Sequence, residues 1–215
     1  MGDSDKHDYI KSNFPANAKS ISKRKLIFGV GVNDSTYVTN PTVNGKMISD
    51  PCYVSWSNIL RRCYCSSLHI KCPTYSDCTI CGEWINFSSF NFWWEENQVD
   101  GWQIDKDIIL PGNKIYSKDT CAFVPAMVNL FVLDKRASRG EWPIGVCWSE
   151  RYKSFAAQCS NPFNGKNDYL GGFPDPQIAH NAWKLRKLEL VPLICSKFPE
   201  MDRRVEMALI KRYSQ

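Results

Sequence analysis

The segment that most constrains the fold is WPIGVCWSERYKSFAAQCSNPFNGKNDYLGGFPDPQIAHNAWKLRKLEL, residues 142–190. Three short runs with strand character cover 144–149, 154–160 and 166–171, separated by SERYK and NPFNGK. The second connection contains Asn-Gly, whose backbone freedom suits a tight hairpin. A period of two places Val146 and Trp148, then Phe155, Ala157 and Cys159, then Tyr169 on a packed face, and leaves the other face free. Pro174-Asp175-Pro176 opens a helix that turns Ile178, Ala179, Ala182, Trp183 and Leu185 toward the sheet. Such a sheet needs apolar cover on one face only. The pattern therefore predicts a three-stranded antiparallel sheet packed on one helix.

The rest of the chain sets the frame. With 215 residues, 43% hydrophobic and 13% aromatic, it can bury a core as one large domain or two small ones. The expected organisation is α+β. A flexible arm covers 1–22, a cysteine-rich domain 23–134, a linker 135–142, the sheet–helix module 143–195 and a helical tail 196–215. The linker reads KRASRGEW, which is charged, small and Gly-containing. No run of 18 apolar residues is present, so no membrane partner is expected. The polar start MGDSDKHDY has no signal-peptide character. The expected location is the cytoplasm, where thiols stay reduced. A net charge of +5 permits a polyanionic partner without requiring one.

Within 23–134, Leu26–Val32 reads as an apolar strand and 33–52 as loop. YVSWSNILRRCY has helical spacing at Val54, Trp56, Ile59, Leu60 and Cys63. EWINFSSFNFWWEEN has an aromatic helical face that suits the core. Between them lie Cys63, Cys65, Cys72, Cys78 and Cys81. CTIC is a true C-x-x-C, half of a zinc knuckle. Two readings stay open: a structural zinc held by Cys78 and Cys81 with further ligands from among Cys52, Cys63, Cys72, His69 and Cys121, of which Cys63 and Cys121 complete the expected set, or ordinary buried thiols beside a strand end. In IDKDIILPGNKIY, Ile104, Ile108 and Ile109 favour a strand, yet Asp105, Lys106 and Asp107 interrupt it. These charges mark either a solvated edge or a site.

IGV-x-W, KSFAAQC, YLGGF and AHNAW occur in that order, and over about fifty residues the module resembles the Apetala/ethylene-response-factor DNA-binding domain. That family also occurs appended to phage-encoded HNH endonucleases. The resemblance implies duplex DNA as partner, with the free sheet face in the major groove. Carried over by position, the contacting residues are Cys147, Ser149, Arg151, Lys153, Gln158, Ser160, Lys166, Asn167 and Tyr169. The plant members carry arginines at several of these positions and this chain does not, which implies modest sequence specificity and phosphate contacts by Arg151, Lys153 and Lys166.

Residues 104–129 resemble an HNH hairpin, a ββα unit with a general base and a divalent metal. Asp105 stands at the family's Asp, Asn113 in the loop and Asn129 on the helix, so the implied catalytic set is Asp105, Lys106, Asp107, Asn113 and Asn129. Lys106 occupies the place of the general-base His, and a protonated lysine cannot accept a proton. The fold implied for 23–134 is thus a cysteine-rich region with a degenerate HNH-like ββα hairpin. Three functions follow as expectations. The first is a DNA-binding protein derived from a homing-type endonuclease. The others are an active nickase using magnesium, and a protein-interaction or counter-defence factor that inhibits a host enzyme in the host cytoplasm.

Overall fold

A computed structural model describes residues 1–134 and 140–215; positions 135–139, most of the expected linker, lie outside the described residues. The chain divides into two units, Met1–Phe123 and Val124–Gln215, so the division precedes the expected linker. Among the described residues, no helix is long and apolar enough to cross a membrane.

The first unit contains α1 (Asp3–Asn13), α2 (Ala18–Ser22), the hairpin β1–β2 (Thr42–Val43 and Lys46–Met47), α3 (Pro51–Tyr64), α4 (Ser66–Lys71), β3 (Thr79–Ile80), α5 (Phe87–Asn97), β4 (Gln103–Asp105) and β5 (Ile115–Tyr116). β3 pairs in parallel with β5, and β4 pairs with β6 (Ala122–Val124). α3 and α5 bear out the helical spacing read from the sequence. Trp56, Ile59, Leu60 and Cys63 of α3 are buried with Phe87, Phe90, Trp93 and Trp94 of α5. Trp84 packs 4.7 Å from Trp93, and Trp56 Nε1 donates to the Trp84 carbonyl at 2.7 Å. A buried indole N–H usually finds an acceptor, as Trp56 does; among the described residues Trp94 Nε1 is buried without one.

Two expectations give way here. Residues 1–22, expected as a flexible arm, carry α1 and α2, with His7 and Ile10 buried. Leu26–Val32, expected as a strand, folds as a tight turn. Ile27 bridges Gly31, and Phe28 and Gly29 take φ of +49° and +76°. A pair of left-handed residues reverses the chain and ends any strand there.

α1 is held from a distance. Asp50, fully buried, caps α3 by accepting from the Cys52 amide at 3.0 Å. It also accepts from the Tyr37 hydroxyl at 2.5 Å and pairs with His7 Nδ1 at 2.8 Å. His7 Nε2 pairs with Glu95 of α5 at 2.9 Å, and Glu95 also meets Lys11. Burial opposes the charged imidazolium, but the bonds and charges of Asp50 and then Glu95 outweigh it and raise the His7 pKa.

The second unit contains α6 (Ala126–Val132), β7 (Val146–Ser149), β8 (Ser154–Ser160), β9 (Asn167–Phe173), α7 (Pro176–Lys197) and α8 (Arg203–Ser214). The sheet is antiparallel with order β7-β8-β9, as the alternation predicts. Val146 lies opposite Ala157, and Phe155 opposite Phe173. Val146 and Ala157 pack with Ala179 of α7, flanked by Phe155, Leu170 and Ala182. Asp175 caps α7 through the Gln177 and Ile178 amides. Gly145 has φ of +82°, and a side chain there would lie 2.1 Å from the Trp183 ring. Only glycine lets the strand come this close to the helix. Ile178 and Leu185, expected to face the sheet, are exposed; Ala179, Trp183, Lys187, Leu190, Val191 and Ile194 form the buried stripe. α7 also runs on to Lys197, past the expected module end at 195.

A folded His7 pKa above the unfolded value gives a stabilisation that is complete below the unfolded pKa and lost as pH rises through the folded one. Denaturation followed by tryptophan fluorescence should show greater stability at about pH 6 than at about pH 8, and His7→Gln should flatten that difference. Asp50→Ala, which strands three partners in a dry core, should cost about 3–5 kcal/mol in the same assay.

Candidate nucleic-acid interface

Residues directly opposite in an antiparallel ladder share a face. Cys147 lies opposite Ala156, Ser149 opposite Ser154, Gln158 opposite Tyr169 and Ser160 opposite Asn167. One face therefore carries Cys147, Ser149, Ser154, Ala156, Gln158, Ser160, Asn167 and Tyr169; Ala156 is buried, Ser149 and Ser154 are half-buried, and the other five are exposed. Tyr169, read both as a packed residue and as a contact, belongs to this face and is 62% exposed. The change comes from a bulge between Ala157 and Gln158, opposite Gly171 at φ +122°. A bulge adds a residue to one strand and changes which side chains lie together beyond it.

The face is polar and uncharged. The Ser160 hydroxyl donates to Asn167 Oδ1 at 2.8 Å, which fixes that amide and leaves its NH₂ as donor. A side chain at Gly172 would lie 2.7 Å from Ser154 Oγ, so that hydroxyl would have to move aside. The cations stand at the two ends. Arg151 and Lys153 occupy the β7–β8 turn and Lys166 the β8–β9 turn, separated by the seven residues of β8, about 20 Å of strand. The Arg151 guanidinium lies over the Tyr152 ring at 5.2 Å. Lys153 pairs with Glu150 at 2.6 Å, which leaves Arg151 and Lys166 as the less committed charges.

At one edge the face borders a cleft of about 500 Å³ shared by Cys147, Gln158, Leu130, Trp183 and Lys187. Lys187 is a buried cation beside this cleft that the pattern reading missed. Its ammonium donates to the Phe131 carbonyl at 2.6 Å and sits 3.7 Å from the Phe131 ring, with Trp183 and Tyr213 within 6 Å. Burial pushes it down to about 8. The signal was present: Ala179, Trp183 and Lys187 recur every fourth residue, so Lys187 lies on the buried stripe.

In the first unit, the Asp105–Lys106–Asp107 segment is a turn, not a strand interior. β4 ends at Asp105 because its Oδ1 accepts from the Asp107 and Ile108 amides at 2.8 and 2.7 Å, donors that a ladder needs. Burial raises the Asp105 pKa against the Asp107 amide that lowers it, and the Asp107 charge adds to the rise. Lys106 is buried, donating to Asp107 Oδ2 at 3.0 Å and to the Asn113 carbonyl at 2.9 Å. Asn113 closes the loop by donating to the carbonyls of Lys106 and Ile115, both at 2.7 Å. Arg62, Tyr75, Lys114 and Tyr116 complete a cleft of about 370 Å³. Asn129 lies on α6, in the second unit.

Magnesium is a hard dication held by carboxylate oxygens, and a neighbouring ammonium repels it. Here one oxygen of Asp105 is bound by two amides and one of Asp107 by an ammonium, so the segment fits the ion poorly. Zinc fares similarly. Cys78 and Cys81 flank β3, and none of the ten cysteines is in a disulfide. Burial pushes the Cys63 and Cys121 thiols up to about 12; Cys63 senses Cys78, and Cys121 senses Cys81. Among the described residues, no three His, Cys, Asp or Glu side chains come together as a metal group.

Two outcomes test these assignments. A folded lysine pKa of about 8 against 10.5 unfolded makes the protonated form the costly one, so stability rises across that window. Lys187→Met should remove this rise when melting curves of the two proteins are compared from pH about 7.5 to about 10.5. Asn113→Ala should cost about 1–3 kcal/mol and speed amide exchange at Ile115.

Comparison with protein-family models, with curated proteins and with solved structures gave no match to this chain.

Proposed function

We propose that the chain binds duplex DNA through the free face of β7-β8-β9, and that it derives from an HNH homing-type endonuclease whose cleavage chemistry has lapsed. One observation carries the reading. The register gathers Gln158, Ser160, Asn167 and Tyr169 on one solvent-facing surface, with Arg151 and Lys166 at its two ends. Amides and hydroxyls offer donors and acceptors to base edges, while cations at the ends suit phosphates on the groove rims. A sheet face wanted only for packing would be covered or more apolar. The buried ammonium of Lys106, committed to Asp107 and Asn113, supports binding without a general base at that position.

Fluorescence anisotropy with a labelled duplex across a salt series tests this. Wild type should bind with a steep salt dependence, and Arg151→Ala should flatten the slope by about one unit on every sequence. Gln158→Ala with Tyr169→Ala should weaken binding and alter sequence preference, at about 1–3 kcal/mol for a good base contact. Absence of binding at low salt would overturn the reading and leave the face to a protein partner.

A further inference from the structure

The loop Lys23–Val32 holds a phenylalanine in the left-handed backbone region, which bulky residues rarely adopt. Ile27-Phe28-Gly29-Val30 forms a two-residue reversal: the Val30 amide donates to the Ile27 carbonyl at 3.1 Å, and φ is +49° at Phe28 and +76° at Gly29. The β1–β2 hairpin repeats that geometry at Asn44-Gly45, again with +49° and +76°. Asn-Gly is the pair this turn prefers, because Asn tolerates a left-handed backbone and an aromatic residue does not. The same backbone therefore occurs twice in one unit, once with the favoured residue and once with phenylalanine. Phe28 is 39% exposed, and neighbouring Leu26 is 56% exposed.

The base of the turn is rigid. Arg24 donates to the carbonyls of Asn33, Ser35 and Tyr37. A side chain at Gly31 would strike Leu60 and Trp56 of α3 within 3 Å, so the returning strand lies directly on the core. Val32 continues into a bridge with Asn86. An apolar tip on a fixed base, held at a backbone cost, is a mark of a residue kept for contact.

The charge around the tip selects the partner. Residues 9–33 hold five cations, Lys11, Lys19, Lys23, Arg24 and Lys25, and no acid. Lys11 is engaged by Glu95 and Arg24 by carbonyls, whereas Lys19, Lys23 and Lys25 are exposed. A narrow aromatic tip flanked by lysines fits a polyanion that offers an apolar slot. Duplex DNA has both, since a side-chain wedge can enter between base pairs from the minor groove while cations hold the flanking phosphates. We infer that Phe28 is a DNA wedge and that Lys19, Lys23 and Lys25 are its phosphate contacts, a second nucleic-acid surface on the first unit. This rests on the function proposed above only in taking duplex DNA as the partner.

The test uses the full chain and a mixed-sequence duplex of about 30 base pairs, end-labelled for energy transfer, with flexible pyrimidine–purine steps. Wild type should shorten the end-to-end distance on binding. Phe28→Asn places the turn's preferred residue, so the melting temperature should rise while the bend is lost and affinity falls less than about tenfold. Lys23→Ala with Lys25→Ala should flatten the salt slope by about two units. Gln158→Ala with Tyr169→Ala probes the sheet face separately. Loss of bending in Phe28→Asn with the sheet variant unchanged would uphold the wedge and sink the sheet reading. Unaltered bending in Phe28→Asn, or a wild type that binds without bending, would overturn the wedge whatever the sheet variant does. Phe28-dependent sedimentation with phosphatidylserine vesicles, with no DNA bend, would overturn it in favour of a lipid surface.

Discussion

Asp50 has no access to water, so every hydrogen bond its carboxylate needs has to come from the chain. It receives them from three separate segments: the amide of Cys52, the hydroxyl of Tyr37 and the ring of His7. A buried charge with fixed partners is costly to disturb and tolerates one arrangement of its neighbours. The start of α3, the loop before it and the N-terminal helix are thereby placed together. Through His7, Glu95 of α5 joins the same network. The aromatic core then fills the space that this polar clasp defines, with Trp56 against Phe87 and Trp84 against Trp93.

The second unit solves a similar problem with a cation. Lys187 has a single carbonyl acceptor and a surround of aromatic faces, which attract a cation weakly but do not replace a carboxylate. The rings come from three helices, α6 through Phe131, α7 through Trp183 and α8 through Tyr213, so the ammonium marks where they converge. α7 has a second duty two turns earlier on the same stripe, where Ala179, with Ala182 beside it, is small enough for the sheet to approach. One helix thus buries one face of the sheet and leaves the other to solvent. The polar face is a consequence of the packed one, because the side-chain period is two.

The sequence made parts of this legible for definite physical reasons. Alternation and the Asn-Gly connection marked the three strands, and spacing by three and four marked α3 and α5. The N-terminal helix was not legible. DSDKHDYIKSN buries only His7 and Ile10, and its anchors lie at Asp50 and Glu95, far along the chain. No local pattern encodes such a pairing. The run Leu26–Val32 misled because its composition suits a strand while Phe28 and Gly29 take a conformation that composition does not announce. At the candidate interface, period two placed most of the polar residues on one face, but the bulge at Ala157/Gln158 hid the true side of Tyr169. The charges of Asp105–Lys106–Asp107 were visible as an anomaly. Their partners, an amide pair and the carbonyl of Asn113, were not, since backbone acceptors carry no sequence signal.

The His7 clasp also sets an order of events during synthesis. Its partners Asp50 and Glu95 stand 43 and 88 residues downstream. The first helix therefore leaves the ribosome well before either anchor does, and its low apolar content gives it little to hold it together alone. It has to wait, loosely structured, until α5 has been made. Closing a loop of that length is slow relative to forming the local helices. Docking of the N-terminus is thus a late step in building the first unit, and the second unit is still being translated when it becomes possible.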